Sequence, residues 1–289
     1  MIHEVELAHE YDADLGEGPI WDDQKQELIW LDVTQGKILF FSPDQGVQTE
    51  LQVDRHVGSL ALTKNFDLWL ALRDGFAHYE HESRSVTSFN KVINSPDIRF
   101  NDGAVDARGR FLAGTMGYNP EPHTGALYTF TPNSGYKVLV PQVGVSNGIC
   151  WNSDSTSMYF VDSLTQSIQV YDYNLDSGDV SNPRTLIHFQ AKDGIPDGLT
   201  IDREGSLWVA MWGGSQILKI NSAGFIEDSI QLPVTKVTSV TFGGVDLKDL
   251  YITTARYELS ASELSTQPLA GSLFRVRTEV PGFSENRMK

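Results

Sequence analysis

The segment GLTIDREGSLWVAM, residues 198–211, contains the pattern that decides the fold of this chain. Its two halves are rich in Leu, Ile, Val and Trp, which favour β-strands. Between the halves lies Asp202-Arg203-Glu204-Gly205, whose residue types favour a tight turn. The segment therefore predicts a β-hairpin.

The same plan recurs in five other segments of the chain. Each has a small or polar start, an apolar strand, a turn rich in Asp, Asn or Gly, and a second strand with aromatic residues. The segments are GPIWDDQKQELIWLD (18–32), GSLALTKNFDLWLAL (58–72), GAVDARGRFLAGTM (103–116), GICWNSDSTSMYFVD (148–162) and SVTFGGVDLKDLYITT (239–254). Their starts lie 40 to 50 residues apart, which is typical of the four-stranded blades of a β-propeller.

These repeats predict an all-β fold, a six-bladed propeller of four-stranded antiparallel blades. Strand-like runs such as 37–41 and 167–171 would supply the outer strands. There is no linker between the repeats and no amphipathic helix longer than a turn or two, so we expect one domain spanning residues 1–289. We expect Val5-Glu6-Leu7 and the run 272–276 to complete the last blade, because a propeller must close its ring.

The composition excludes several classes of partner. The formal net charge is −16 and there is no dense Lys/Arg cluster, so we expect neither nucleic-acid binding nor attraction to an anionic membrane surface. No apolar stretch is long enough to cross a bilayer. The residues from Met1 to Glu6 lack the basic and apolar regions of a signal peptide. A cytoplasmic protein, monomeric or homodimeric, is expected.

The residues immediately before the six repeats point to chemistry, because the innermost strand of each propeller blade begins near the central channel. Four of the six are carboxylates or an amide, as the full set shows: Glu17, Val57, Asp102, Asn147, Asp197 and Thr238. For any one of them, turn formation is a sufficient explanation. For four in one channel it is not, because packed carboxylates repel and lose hydration at high cost unless a cation or a proton joins them. Oxygen ligands suit Ca²⁺, Mg²⁺ or Mn²⁺, with Zn²⁺ as the alternative.

Six motifs carry a resemblance to a known family. They are LGEGPIW (15–21), RFNDG (99–103), SNG (146–148), PDGL (196–199), WGG (212–214) and TSVTFGG (238–244). In this order, from about Glu4 to Arg275, the chain resembles the SMP-30/gluconolactonase/regucalcin family. The resemblance implies a six-bladed propeller that hydrolyses sugar lactones with one divalent metal. It implies that Glu17, Asn147 and Asp197 are the metal ligands.

The resemblance also implies a set of substrate contacts. Arg99 and Asn101 would contact the sugar lactone, and Asp102 lies beside them in the same motif. Family members often have an acidic substrate contact where this chain has Asn119, so the substrate preference of the family does not transfer. The expected general base is Asp197. Asp102, or a water activated by the metal, is the alternative.

Two other functions stay open at the level of the sequence. One metal and one oxyanion site could also serve an esterase or an organophosphate hydrolase on the same scaffold. The other alternative is a non-enzymatic calcium-binding propeller. The pair Arg99 and Asn101 argues against this second alternative, because metal binding alone needs neither residue.

Overall fold

The computed structural model describes residues 3–289, and the side chains of all of these except residues 47 and 48. Met1 and Ile2, which begin the N-terminal stretch considered above, lie outside the described residues. The chain forms six antiparallel sheets of four strands each, the blades of a six-bladed β-propeller. The predicted fold class is confirmed.

The chain divides into two compact units, each made of two stretches of sequence. The first unit comprises Met1–Gln52 and Phe189–Glu285. It contains three sheets, with strands β1 (Val5–His9), β24 (Leu273–Arg277), β23 (Asp249–Thr254) and β22 (Val237–Gly243); β2 (Gly16–Asp22), β3 (Glu27–Asp32), β4 (Lys37–Ser42) and β5 (Gly46–Gln52); and β18 (Ile195–Ile201), β19 (Leu207–Trp212), β20 (Gln216–Ile220) and β21 (Ile226–Gln231). A 3₁₀ helix, Ala191–Asp193, and one short helix, α1 (Ala261–Thr266), complete it.

The second unit comprises Val53–His188 and Asn286–Lys289. Its three sheets contain strands β6 (Val57–Leu62), β7 (Leu68–Leu72), β8 (Gly75–Glu80) and β9 (Ser85–Lys91); β10 (Ile98–Val105), β11 (Phe111–Gly117), β12 (Gly125–Thr131) and β13 (Gly135–Val143); and β14 (Ser146–Trp151), β15 (Ser157–Asp162), β16 (Ser167–Asn174) and β17 (Asp179–His188). A 3₁₀ helix, Ser163–Thr165, follows β15. The single domain expected over residues 1–289 stays a prediction.

The N-terminal and C-terminal strands share one sheet. β1 pairs antiparallel with β24, and Val5 lies opposite Val276. Together with β22 and β23 they form a four-stranded sheet. The expectation that residues 5–7 and 272–276 complete the last blade is confirmed.

The turn between β18 and β19 is built around a buried aspartate, Asp202. Asp202 accepts hydrogen bonds from the backbone N–H groups of Glu204 and Ser206, at 3.0 and 2.9 Å. Gly205 has a φ of +86°, a conformation that glycine adopts without steric cost. The Nε1 of Trp208 donates to the second oxygen of Asp202 at 3.0 Å. The turn that the sequence predicts is therefore tied to the core beneath it.

The core of each unit lies between neighbouring sheets and is rich in aromatic rings. In the second unit Phe76 and Phe130 stack with ring centres 4.2 Å apart. In the first unit Trp208 packs edge-on against Phe242. Facing apolar sheets exclude water from these side chains, which is the main source of stability for such a fold.

The segment after β24 packs onto both units in turn. Within the first unit, Arg203 donates its backbone N–H to the carbonyl of Pro281 at 2.9 Å, and Thr241 donates its hydroxyl to Glu285 at 3.0 Å. Within the second unit, Met288 donates its backbone N–H to the carbonyl of Leu62 at 2.8 Å. The C-terminal residues are therefore ordered parts of each unit.

Glu285 should make the stability of the protein depend on pH. Burial raises the pKa of Glu285, the hydrogen bond from Thr241 lowers it, and the charge of Asp23 raises it further. Since the folded state binds the proton more tightly, stability should fall as pH rises from the ordinary glutamate pKa through the raised one. We expect Glu285→Gln to raise the unfolding midpoint in urea at pH 7. The gain should vanish near pH 4, and an equal gain at both pH values would contradict this account.

Candidate functional site

The polar residues at the repeat starts lie where the first strand of a sheet departs from regular pairing. In four sheets this strand has two residues opposite one residue of its partner, which defines a β-bulge. The bulged pairs are Gly18-Pro19 in β2, Asn101-Asp102 in β10, Asn147-Gly148 in β14 and Asp197-Gly198 in β18. A bulge changes the direction of a side chain relative to the regular pleat. The bulges therefore set the side-chain directions of four predicted site residues, which are Asn101, Asp102, Asn147 and Asp197.

Two of the glycines that follow the polar residues, Gly103 and Gly198, are required by close packing between strands. A Cβ on Gly103 would lie 2.4 Å from the carbonyl oxygen of Leu112, and a Cβ on Gly198 would lie 2.1 Å from Oγ of Ser239. Neither position is a turn, since both lie within strands. Turn formation is therefore not the reason for the polar-Gly pattern at these starts.

Four side chains of the second unit form a continuous chain of hydrogen bonds. Nη1 of Arg99 donates to Oδ1 of Asn101 at 2.6 Å. Nδ2 of Asn101 donates to Oδ1 of Asn147 at 2.7 Å. Nδ2 of Asn147 donates to Oγ of Ser163 at 2.8 Å. The structure thus brings together three of the predicted site residues, and adds Ser163, which the sequence analysis did not identify.

Arg99 is a buried cation within this chain. Its side chain belongs to a residue that is only 8% exposed, and Nη1 also donates to the backbone carbonyl of Phe100 at 3.0 Å. Burying a guanidinium is costly unless acceptors replace its water shell. Arg99 is therefore not a surface charge that serves solubility, and its place in the site stays a prediction.

Asp102 lies next to Asn101 in the same bulge. The backbone N–H of Gly103 donates to its Oδ1 at 2.7 Å. Burial raises the pKa of Asp102 to about 6, and the hydrogen bond from Gly103 opposes this shift. Burial disfavours the charged form because a carboxylate loses its hydration there.

The first unit contains Glu17, which pairs with Leu31 just before the bulge in β2, and Asp197, which lies in the bulge of β18. Glu17 lies in β2 and Asp197 in β18, where Asp197 is only 6% exposed. Each strand packs against β22, in which the buried Thr238 donates its hydroxyl to the carbonyl of Gly16 at 2.6 Å. The backbone N–H of Gly18 donates to Oε2 of Glu17 at 3.0 Å. The strand positions of both carboxylates are thereby fixed within their unit.

Two further aspartates hold the loops that lead into the site strands. Asp162 accepts from the backbone N–H groups of Gly144 and Val145 at 2.8 and 3.0 Å, just before Asn147. Asp32 accepts in the same way from the two residues before Gly16, Asp14 and Leu15. Neither aspartate was among the predicted site residues. A signal was present, because the first and fourth repeats each end in an apolar strand followed by Asp.

Asn119 does not take part in the hydrogen-bonded chain. It is exposed, in the loop that follows β11. Its neighbour Tyr118 forms a hydrogen bond to Nδ1 of His56 at 3.0 Å. A substrate contact by Asn119 therefore stays a prediction.

The donor set predicted for the metal consists of two carboxylates and one amide oxygen. Among residues 3–289 no group of three or more His, Cys, Asp or Glu side chains is arranged to hold a metal ion. The Oδ1 of Asn147 accepts one hydrogen bond from Asn101, and a carbonyl oxygen has a second lone pair for another partner. This chemistry fits a hard cation such as Ca²⁺ or Mg²⁺.

No helix in the described part of the chain is long and apolar enough to cross a membrane.

Known proteins resemble this chain in sequence over most of its length. The sequence model of the SMP-30/Gluconolactonase/LRE-like region matches residues 15–256. The "Putative sugar lactone lactonase YvrE" of Bacillus subtilis is 37% identical, over 94% of this chain and 94% of its own length. Regucalcin of Gallus gallus is 36% identical, over 91% and 90%.

A solved structure supports the fold independently. The crystal structure of regucalcin from Agrobacterium tumefaciens, described as a calcium-binding protein, superposes with a TM-score of 0.95. It is 24% identical and the match covers 100% of this chain and 98% of that one, so it bears on the fold alone. From the sequence match over most of its length, this chain belongs to the SMP-30/gluconolactonase/LRE-like family.

Proposed function

We propose that this protein hydrolyses a sugar lactone to the aldonic acid and that one divalent cation, bound by Glu17, Asn147 and Asp197, is required. The observation that carries the proposal is the buried chain from Arg99 through Asn101 to Asn147. It holds the amide oxygen of Asn147, the proposed metal ligand, at one end and the guanidinium of Arg99 at the other, an arrangement that suits an oxygen-rich substrate. Membership of the family supports the lactone as substrate.

The residues of the chain would share the chemical work. When bound, a divalent cation polarises the lactone carbonyl and stabilises the negative charge that develops on its oxygen. Asp197 is proposed to accept the proton of the attacking water. Asp102, which lies beside Asn101, is the alternative base. Each can accept a proton only while its carboxylate is ionised.

Arg99 and Asn101 are proposed to bind and orient the substrate. A guanidinium offers donors in a rigid plane, which suits hydroxyl and ring oxygens of a sugar. Because Arg99 is held by Asn101 and by the carbonyl of Phe100, its position would be set before the substrate arrives. Preorganised donors of this kind lower the barrier without a cost of reorganisation during the reaction.

The proposal is tested by proton release from 1,4- and 1,5-sugar lactones. The purified protein is stripped of metal and then supplied with Ca²⁺, Mg²⁺, Mn²⁺ or Zn²⁺, with spontaneous hydrolysis subtracted. We expect turnover of at least one lactone only when a cation is added, and its loss in Glu17→Gln. If no cation gives a rate above background, the lactonase proposal is wrong. Turnover of aryl esters or organophosphates but of no lactone would favour the other hydrolases.

A further inference from the structure

The series of hydrogen bonds from Arg99 to Ser163 has a fixed order of donors and acceptors, and Arg99 determines that order. A guanidinium has N–H donors and no acceptor. The amide of Asn101 must therefore present its oxygen to Nη1 of Arg99, 2.6 Å away. Its nitrogen then faces the opposite side, where it donates to the backbone carbonyl of Ser146 at 2.9 Å. A donor-only group at one end and an acceptor-only group at the other fix the orientation of this amide.

The direction passes from Asn101 to Asn147. The amide nitrogen of Asn101 lies 2.7 Å from the side chain of Asn147, so Asn147 must present its oxygen there. Its own nitrogen is then directed away and lies 2.8 Å from Oγ of Ser163. Asn147 is 5% exposed and Ser163 is 7% exposed. A buried amide N–H is costly to leave without an acceptor, and Ser163 supplies one.

Backbone hydrogen bonds connect the segment that contains Ser163 to the residues just before Asn147. It is the first residue of the 3₁₀ helix Ser163–Thr165, and Asp162 caps this helix through the N–H of Leu164. Asp162 also accepts from the N–H groups of Gly144 and Val145, just before Asn147. In addition the N–H of Ser163 donates to the carbonyl of Val145 at 3.0 Å. The distance between Ser163 and Asn147 is therefore set by backbone contacts.

We propose that Ser163 is a positioning residue for the metal site, in that it holds the amide of Asn147 with its oxygen available to the cation. This inference rests on the proposed function, because it takes Asn147 as a ligand. Ser163 touches neither cation nor substrate in this account. It acts by accepting the amide N–H of Asn147, so that the amide neither rotates nor exchanges the places of its oxygen and nitrogen.

The test measures cation binding directly. Metal-stripped protein is titrated with Ca²⁺ and with Mn²⁺ in a calorimeter. Loss of a partner that orients a metal ligand weakens binding by about 10-fold or more, and we expect this for Ser163→Ala. Ser163→Thr keeps a hydroxyl and should restore most of the affinity. Ser167→Ala removes a buried hydroxyl that bonds to Thr165 and Gln169 rather than to Asn147, and it should bind like the wild type.

A second variant separates orientation from general damage to the fold. In Asn147→Asp both side-chain oxygens are equivalent, so no orientation needs to be selected, and the hydroxyl of Ser163 can donate to the carboxylate. Adding Ser163→Ala to Asn147→Asp should therefore change the Kd of the cation by much less than the about 10-fold expected for Ser163→Ala alone. A 10-fold loss in both backgrounds would overturn the positioning role.

The remaining outcomes distinguish this inference from the proposed function. If the wild type binds neither cation, or if Asn147→Ala binds them as the wild type does, the metal site and the role of Ser163 both fail. If Asn147→Ala loses binding while Ser163→Ala keeps wild-type affinity, the role of Ser163 alone is overturned.

Discussion

Replacement of Asp197 by Asn should lower kcat/KM for the preferred lactone by about 10³-fold, within the range attributed to a positioned general base. The amide has the shape of the carboxylate, so the buried position can keep its packing, yet it neither accepts a proton nor carries the negative charge proposed to bind the cation. The measurement is proton release at a cation concentration that saturates the variant, so that weaker metal binding does not mask the effect on turnover.

The control for this change is Asp228→Asn, which alters a half-buried aspartate on β21 of the same sheet. That variant should keep wild-type turnover, because Asp228 bonds to His3 and lies on the strand farthest from β18. If folded Asp197→Asn, saturated with cation, turns over lactone as fast as the wild type, the assignment of Asp197 is wrong.

The alternative base is tested by Asp102→Asn in the same assay. If Asp102 accepts the proton, its replacement should cause the large loss in turnover, and Asp197→Asn should recover most of its activity once the cation is saturating. If Asp197 is the base, Asp102→Asn should keep the larger share of kcat. The variant with the lower kcat at saturating cation therefore identifies the carboxylate that accepts the proton.

Most of the fold could be predicted because its signals are local. Each hairpin shows its apolar strands and its turn within about 15 residues, so six repeats were visible without knowledge of any partner. The sharing of one sheet by residues 5–7 and 272–276 followed from the need to close a ring. The register could not be predicted in this way. A bulge such as Asn101-Asp102 opposite Gly114 depends on which residues of two strands pair. The hydrophobic pattern alone does not specify this pairing.

The candidate site was only partly predictable for a related reason. Asn101 and Asn147 are 46 residues apart, and their hydrogen bond forms only when two blades pack side by side. The motif around each residue predicted that it belongs to the site. Only the structure shows which way the oxygen and nitrogen of each amide point. Ser163 had no signal of its own, because a serine after a strand is common. Its role depends on the acceptor that Asn147 needs.

We expect Asp106→Ala to lower the free energy of unfolding by about 3–5 kcal/mol, the usual cost of removing one partner from a buried ion pair. Asp106 is 0% exposed. It lies in the turn between β10 and β11 and accepts from Nε of Arg110 and from the hydroxyl of Tyr173, both at 2.6 Å. Burial and the neighbouring Asp106 raise the pKa of Tyr173, so its hydroxyl stays a donor. Tyr173 belongs to the next blade, and the change to Ala would leave its buried hydroxyl and the half-buried Nε of Arg110 without their acceptor.

Urea unfolding of the variants decides whether this network holds the two blades together, since a shift of the midpoint at constant slope reports stability. The control is Asp176→Ala, which removes an exposed ion pair to Arg108 in the same region and should cost less than about 1 kcal/mol. Asp106→Asn keeps an acceptor oxygen without the charge and should fall between the two. If Asp106→Ala unfolds at the same urea concentration as Asp176→Ala, the buried network contributes no more than a surface pair.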